Sequence, residues 1–179
     1  IRQAATETLN AGHTHYAPVL GRNELRQAIS DYYRDVCGLT IAPERSIVTS
    51  SGMAAVHLAL TSVLDADDEA VIVMPLWKNL FGAVKLQQAV MRGGNLRETD
   101  NGWTLDLNEL FAAVTPKTRA IVINSPNNPT GWMMSRADMQ AVLDFARPRG
   151  IWIISDEVFC RFVFGGLFLV FCFLVVAFS

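Results

Sequence analysis

Residues 119–131 read RAIVINSPNNPTG, and this stretch decides the fold. Its first part, Arg119–Asn124, carries an uninterrupted apolar run, which is typical of a strand buried on both faces. Its second part, Ser125–Gly131, contains two prolines and two asparagines and predicts a rigid turn that holds an amide side chain at the strand end. A turn with no further role is the alternative, but so particular a string favours a functional site.

Similar patterns lie on both sides of this stretch. Buried strands are predicted at Ala70–Met74 and Ile151–Ser155, and shorter extended segments at residues 46–49 and 89–91. Helices are predicted over residues 23–36, 52–64 and 76–88, with helix caps at residues 106–109 and 135–138. Apolar strands separated by amphipathic helices predict an α/β fold with three layers, α/β/α, around a mostly parallel sheet.

Polar residues cluster where the predicted strands end. In open α/β sheets, ligands bind beyond the carboxyl ends of the strands. Those ends carry Ser50–Gly52, Pro75–Trp77, Asn124–Gly131 and Asp156–Glu157. The sequence therefore predicts one binding site at this edge of the sheet.

The segment Ser51-Gly52-Met53 lies between an extended segment and a helix. Free backbone N–H groups at a helix start attract an anion, and a glycine allows it to approach closely. An ordinary serine cap is the alternative. Neither a GxGxxG nor a GxxxxGK[ST] string occurs in the chain, which disfavours a dinucleotide or Walker A site.

Two further strand-end residues have two interpretations each. Trp77 is suited to stacking on a flat ring, or to filling the core. Asp156 follows an apolar strand, and a carboxylate buried there needs a cationic partner such as a protonated ring nitrogen. The alternative for Asp156 is a helix cap.

Composition excludes several classes of function. The chain has 179 residues, of which 51% are hydrophobic and 18% charged, which is typical of a folded domain. Its net charge is −2 without a basic stripe, so no nucleic-acid partner is expected. The three histidines and three cysteines form no metal-binding spacing, and we expect a cytoplasmic setting.

The end of the chain differs in composition from the rest. Residues 167–179 contain no charge, and residues 167–178 are continuously apolar. A membrane helix needs about 20 such residues. We therefore expect residues 1–166 to form the folded part of the chain and residues 167–179 to be an aberrant tail, and we favour a membrane anchor less.

Five motifs, in order, resemble those of class I/II aminotransferases. They are Tyr16–Ile29, Thr49–Ala55, Asp68–Trp77, Ser125–Gly131 and Ser155–Phe159. The resemblance covers about residues 12 to 166. It implies the large domain of fold type I, a homodimer, the cofactor pyridoxal 5'-phosphate, and transfer of an amino group between an amino acid and a 2-oxo acid.

The resemblance also implies the cofactor contacts. Ser51, Gly52 and Met53 would hold the phosphate, and Tyr16 would reach the phosphate of the neighbouring subunit. Around the ring, Trp77 would stack, Asn128 would bind the ring oxygen and Asp156 would pair with the pyridine nitrogen.

The chain departs from the family pattern at two points. Phe159 stands where the family has a tyrosine. The lysine that binds the cofactor covalently is expected tens of residues after Asp156, but the three lysines, Lys78, Lys85 and Lys117, all precede it. We therefore expect a fragment that lacks the small C-terminal domain and is inactive alone.

Other functions remain open at this point. The same cofactor could serve a C–S lyase or a decarboxylase. A chain of this kind could also be a non-catalytic, aminotransferase-like regulatory module.

Overall fold

The computed structural model describes residues 1–163 and the backbone of residues 175–177. The predicted apolar tail, residues 167–179, otherwise lies outside the described residues. The chain divides into two compact units, Ile1–Thr49 and Ser50–Ser179, which are taken separately below. None of the helices in the described residues combines the length and the apolar character that a membrane span requires.

The first unit contains two helices, α1 (Arg2–Asn10) and α2 (Asn23–Cys37), and a 3-10 turn at Pro43–Arg45. The predicted helix over residues 23–36 is confirmed, and it ends at Gly38 with φ 67°, a conformation that glycine adopts readily. Buried Arg26 ties this helix to the next segment, because its Nε donates to the backbone oxygens of Pro43 and Ser46 at 3.1 and 2.9 Å.

One predicted strand is absent from this unit. Residues 46–49 form no strand, although Val48 donates from its backbone N–H to the Leu20 oxygen at 3.0 Å. Residues with strand propensity form a strand only where a neighbouring strand pairs with them. Helix α1 was not predicted; it buries no side chain, so its sequence carries no apolar stripe.

The second unit contains the sheet. Its strands are β1 (Glu69–Met74), β2 (Val90–Thr99), β3 (Gly102–Leu105), β4 (Thr118–Asn124), β5 (Trp152–Asp156) and β6 (Val175–Ala177). Its helices are α3 (Gly52–Val63), α4 (Lys78–Leu86), α5 (Leu107–Ala112) and α6 (Arg136–Ala146), with a 3-10 turn at Arg147–Arg149. Asp106 and Ser135 cap α5 and α6, as predicted.

The strand order is β3-β2-β1-β4-β5-β6. The four central strands are parallel, and β3 and β6 pair antiparallel at the two edges. This confirms a mostly parallel sheet. The hairpin of β2 and β3 is much longer than the short strand predicted at residues 89–91.

Helices cover both faces of the sheet, which confirms the three layers. Helices α3 and α4 bury Leu60 and Leu80 with Ile72 and Ile154 on one face. Helices α5 and α6 bury Leu110 and Val142 with Val71 and Ile121 on the other. Neighbouring residues of a strand point to opposite faces, so β1 is apolar on both faces after its first residue, Glu69.

The amino end of β1 is held by a polar network. Glu69 is buried; its Oε1 lies 2.7 Å from Nη2 of Arg92, and its Oε2 accepts from Oγ1 of Thr115 at 2.6 Å. The hydrogen bond from Arg92 is the main cause that lowers the pKa of Glu69 below its ordinary value. This network lies at the edge of the sheet opposite the strand ends discussed next.

Candidate functional site

The carboxyl ends of β4 and β5 are joined through the side chain of Asn124. This side chain is 2% exposed. Its Nδ2 donates to the Asp156 backbone oxygen at 3.0 Å, and its Oδ1 accepts from the backbone N–H of Asn128 at 2.8 Å. The backbone N–H of Ser125 also donates to the Asp156 oxygen, at 3.1 Å. The turn after β4 is therefore fixed to the end of β5.

Asn127 has a structural role within the same turn. It is buried, and its Nδ2 donates to the Pro75 oxygen at 3.1 Å. Its Oδ1 accepts from the backbone N–H and the Oγ1 of Thr130 at 3.1 and 2.7 Å. These bonds use both ends of the amide, so Asn127 anchors the turn to the segment after β1.

Asn128 differs from Asn127 in having a free amide. Its backbone is fixed by Asn124, but its side chain forms no hydrogen bond with any described residue. It lines a cavity of about 460 Å³ together with Pro126, Met133 and Phe159. Phe159 brings no hydroxyl to this cavity. The Asn128 amide can donate a hydrogen bond to a ligand there.

Asp156 is half-buried at the end of β5. Its Oδ1 accepts from the Val158 backbone N–H at 3.2 Å. Burial raises the pKa of Asp156 above its ordinary value, and the Val158 hydrogen bond opposes that shift. No cationic side chain in the described part of the chain forms an ion pair with it. A cation from a ligand would therefore find a carboxylate without a competing partner.

The next residue, Glu157, was not predicted as a site residue. It is 4% exposed, and its Oε1 accepts from the Ser155 hydroxyl at 2.7 Å. Its Oε2 has no hydrogen-bond partner among the described residues. Burial is the main cause that raises the pKa of Glu157 to about 8; the Ser155 hydrogen bond opposes this shift, and the neighbouring Asp156 contributes to it.

The start of α3 offers backbone donors. Ser51 caps the helix, since its Oγ accepts from the Ala54 N–H at 3.1 Å. The backbone N–H groups of Gly52 and Met53 have no acceptor among the described residues. The side chain of Met53 packs against the core beneath α3. Helix α3 packs on the sheet and leads into β1, so its first residues are expected toward the carboxyl edge of the sheet.

The two aromatic candidates lie in different units. Trp77 is the N-cap residue of α4, and it is 39% exposed while the preceding Leu76 is buried. The core interpretation of Trp77 is therefore wrong, because Leu76 fills that place. Tyr16 belongs to the first unit and is fully exposed.

The donors and acceptors of the second unit fit pyridoxal phosphate. A phosphate needs free N–H donors, which Gly52 and Met53 have. A ring oxygen needs a donor such as the Asn128 amide, and a protonated ring nitrogen needs a carboxylate such as Asp156. The decisive observation for the fit is that burial disfavours the charge of Asp156 while no described cation compensates it.

A comparison with known protein families decides the family. The family model described as aminotransferase class I and II matches residues 1–175. The chain belongs to this family. Its members depend on pyridoxal phosphate, the cofactor that the sequence motifs implied.

Named relatives include aminotransferases for different substrates. The chain is 33% identical to the arginine–pyruvate transaminase of Pseudomonas aeruginosa over 171 residues, which is 93% of this chain and 42% of that protein. It is 36% identical to the aspartate aminotransferase of Pyrococcus horikoshii over 164 residues, which is 92% of this chain and 42% of that protein. The chain thus spans less than half the length of these relatives.

Solved structures give the same result for the fold. The aspartate aminotransferase of Thermus thermophilus with maleate superposes with a TM-score of 0.87 at 32% identity, over 92% of this chain and 43% of that one. The N-succinyldiaminopimelate aminotransferase of Mycobacterium tuberculosis superposes with a TM-score of 0.83 at 32% identity, over 87% of this chain and 41% of that one. The aminotransferase fold is therefore present over nearly the whole of this chain.

Proposed function

We propose that this chain is the cofactor-binding portion of an aminotransferase that moves an amino group between an amino acid and a 2-oxo acid. The observation that carries the proposal is the link through Asn124, which joins the Asn128 turn to Asp156. This link holds the backbones of Asn128 and Asp156 at the same sheet edge, where one flat, polar ring could be offered an amide donor and a carboxylate.

The proposed contacts rest on the Asn128 amide, the Asp156 carboxylate and the backbone N–H groups at the start of α3. When bound, the cofactor supplies a cationic ring that withdraws electrons from the substrate's α-carbon. Asp156 holds the proton on the ring nitrogen, because a carboxylate beside it raises the pKa of that nitrogen. Asn128 donates to the ring oxygen. Trp77 would stack on the ring, and Ser51, Gly52 and Met53 would hold the phosphate.

The covalent chemistry is assigned to another part of the protein. A lysine amine is the nucleophile of such enzymes, and Lys78, Lys85 and Lys117 all precede Asp156. We propose that the lysine belongs to polypeptide corresponding to the remaining length of the relatives. The 179-residue chain would then bind the cofactor without a covalent bond and would not turn over substrate.

The substrate is proposed only as a class. The relatives are named for aspartate, for aromatic amino acids, and for arginine with pyruvate, so their names differ in the charge and shape of the amino acid. The proposal is therefore an amino acid and a 2-oxo acid. We further propose a cytoplasmic homodimer, in which Tyr16 reaches the phosphate bound by the partner.

The test uses the purified chain and pyridoxal 5'-phosphate. We expect a saturable change in absorbance, no preferential labelling of any one of the exposed Lys78, Lys85 and Lys117 after borohydride treatment, and no transamination with a panel of amino acids and 2-oxo acids. The matched control is Asp144→Asn, a change of an exposed aspartate on α6. Absence of any absorbance change, or turnover by this chain alone, would contradict the proposal.

A further inference from the structure

The end of β5 carries two adjacent carboxyl groups in different surroundings. Asp156 is half-buried and accepts from a backbone N–H. Glu157 is almost completely buried, and only one of its two oxygens has a hydrogen-bond partner among the described residues. The two acids therefore differ in burial and in hydrogen bonding, although they are neighbours in the chain.

An ionised Glu157 would be poorly compensated. The negative charge of a carboxylate is shared by both oxygens, and each needs a donor when water is excluded. Ser155 supplies one donor, to Oε1, and Oε2 has none among the described residues. A proton on Oε2 removes the charge and leaves one neutral O–H group without a partner among the described residues, which costs less than an uncompensated buried charge.

Nearby charges do not change this conclusion. Strand β5 is flanked by β4 and β6 and packs against α3 and α6. The ionisable residues of these elements are His57 on α3, Arg119 on β4, and Arg136, Asp138 and Asp144 on α6. None of them contributes to the shift of the Glu157 pKa; the one charge that does is Asp156, which has the same sign.

We propose that Glu157 is a neutral carboxylic acid near pH 7 and a positioning residue that leaves Asp156 as the single negative charge at the end of β5. Burial without a full set of donors disfavours the ionised form of Glu157, and repulsion from the adjacent Asp156 adds to this effect. The protonated member is the more buried one. The role toward a ring nitrogen rests on the proposed function, but the protonation state of Glu157 does not.

The first test measures the proton directly. The chain has seven glutamates, so carbon-13 labelling of the glutamate side-chain carboxyl gives seven signals that can be followed against pH. We expect one signal to titrate near pH 8, and that signal to be missing in Glu157→Gln. If the variant does not fold, Ser155→Ala should shift the same signal. Titration of all seven signals below about pH 6 would overturn the proposal.

The second test uses pyridoxal phosphate and separates the two proposals. At pH 7, Glu157→Gln should bind the cofactor within about twofold of the unchanged chain, since a neutral group replaces a neutral group. Above pH 8, the pH profile of binding in the unchanged chain should depart from that of the variant, because only the unchanged chain gains a second carboxylate at the end of β5. A loss at pH 7 as large as that of Asp156→Asn would overturn the positioning role. If the unchanged chain binds no cofactor, the proposed function fails, and the carboxyl titration still decides the state of Glu157.

Discussion

Asn124 and Asp156 are register partners at the carboxyl ends of β4 and β5, and Nδ2 of Asn124 donates to the Asp156 backbone oxygen at 3.0 Å. The same side chain accepts from the Asn128 N–H at 2.8 Å. A single buried amide thus sets the position of the turn relative to the acid. The geometry of the proposed site depends on it more than on any one of the groups that would contact the ligand.

Removing this amide should harm both folding and binding. In Asn124→Ala, the Asp156 oxygen loses one donor and the Asn128 N–H loses its acceptor. We expect the free energy of unfolding to fall by about 1–3 kcal/mol, as for other buried groups left unpaired. Denaturant unfolding measures this, with Asn101→Ala in the exposed β2–β3 turn as the control. Equal stability of the two variants would contradict the role of Asn124.

The two asparagines of the turn should separate stability from binding. Asn127→Ala removes bonds to Pro75 and Thr130, so it should lower stability. Asn128→Ala removes no hydrogen bond within the described residues, so it should leave stability nearly unchanged and weaken binding of pyridoxal phosphate. Unfolding curves and cofactor titrations of both variants measure this. The opposite pattern would mean that the two roles are exchanged.

The charge of Asp156 should govern cofactor affinity. In Asp156→Asn, the ring nitrogen loses its anionic partner, and a charged hydrogen bond contributes about 1.5–3 kcal/mol, or roughly 10- to 100-fold in affinity. Burial raises the pKa of Asp156, and binding needs the ionised form, so affinity should be lost as the pH falls through that raised pKa. Cofactor titration as a function of pH measures both effects; affinity independent of pH would count against the ion pair.

Protonation of Glu157 should make stability depend on pH. Below its ordinary pKa of 4.5, both the folded and the unfolded chain hold the proton. Between 4.5 and about 8, the unfolded chain releases it and the folded chain keeps it, so stability falls as the pH rises. Above about 8 this loss is complete. The free energy of unfolding of Glu157→Gln, measured from unfolding curves at several pH values, should not fall over this range. Glu98→Gln, a change at an exposed site on β2, should retain the fall.

The network at the opposite edge of the sheet should have the reverse dependence. The hydrogen bond from Arg92 lowers the pKa of Glu69, so its stabilising effect is present above the unfolded pKa and is lost as the pH falls through the folded one. Glu69→Gln should therefore lower the unfolding midpoint at pH 7 and leave cofactor affinity unchanged. A change in affinity would show that the two edges are coupled.

The sequence predicted those strands that are buried on both faces of the sheet. Strands β1, β4 and β5 lie between helices on both faces, so each is a continuous apolar run that can be recognised without knowing its neighbours. The full length of β2 was not predicted because Gly93 and Gly94 interrupt its pattern. A Cβ at Gly93 would overlap Met74, and one at Gly94 would overlap Leu110, so the glycines reflect tertiary packing.

The candidate site was predicted in part for a related reason. Asn128 and Asp156 could be named because they belong to recognisable strings after strands. The link through Asn124 and the orphaned oxygen of Glu157 could not, because both depend on which groups lie opposite across the sheet. Such relationships appear only once the strand register is known.

The most direct test observes the ring nitrogen itself. Pyridoxal phosphate labelled with nitrogen-15 in the ring would be bound to the purified chain, and its nitrogen chemical shift recorded at neutral pH. We predict the shift of a protonated nitrogen in the unchanged chain and that of an unprotonated nitrogen in Asp156→Asn. An unprotonated nitrogen in the unchanged chain, or the same shift in both proteins, would contradict the pairing of Asp156 with the cofactor.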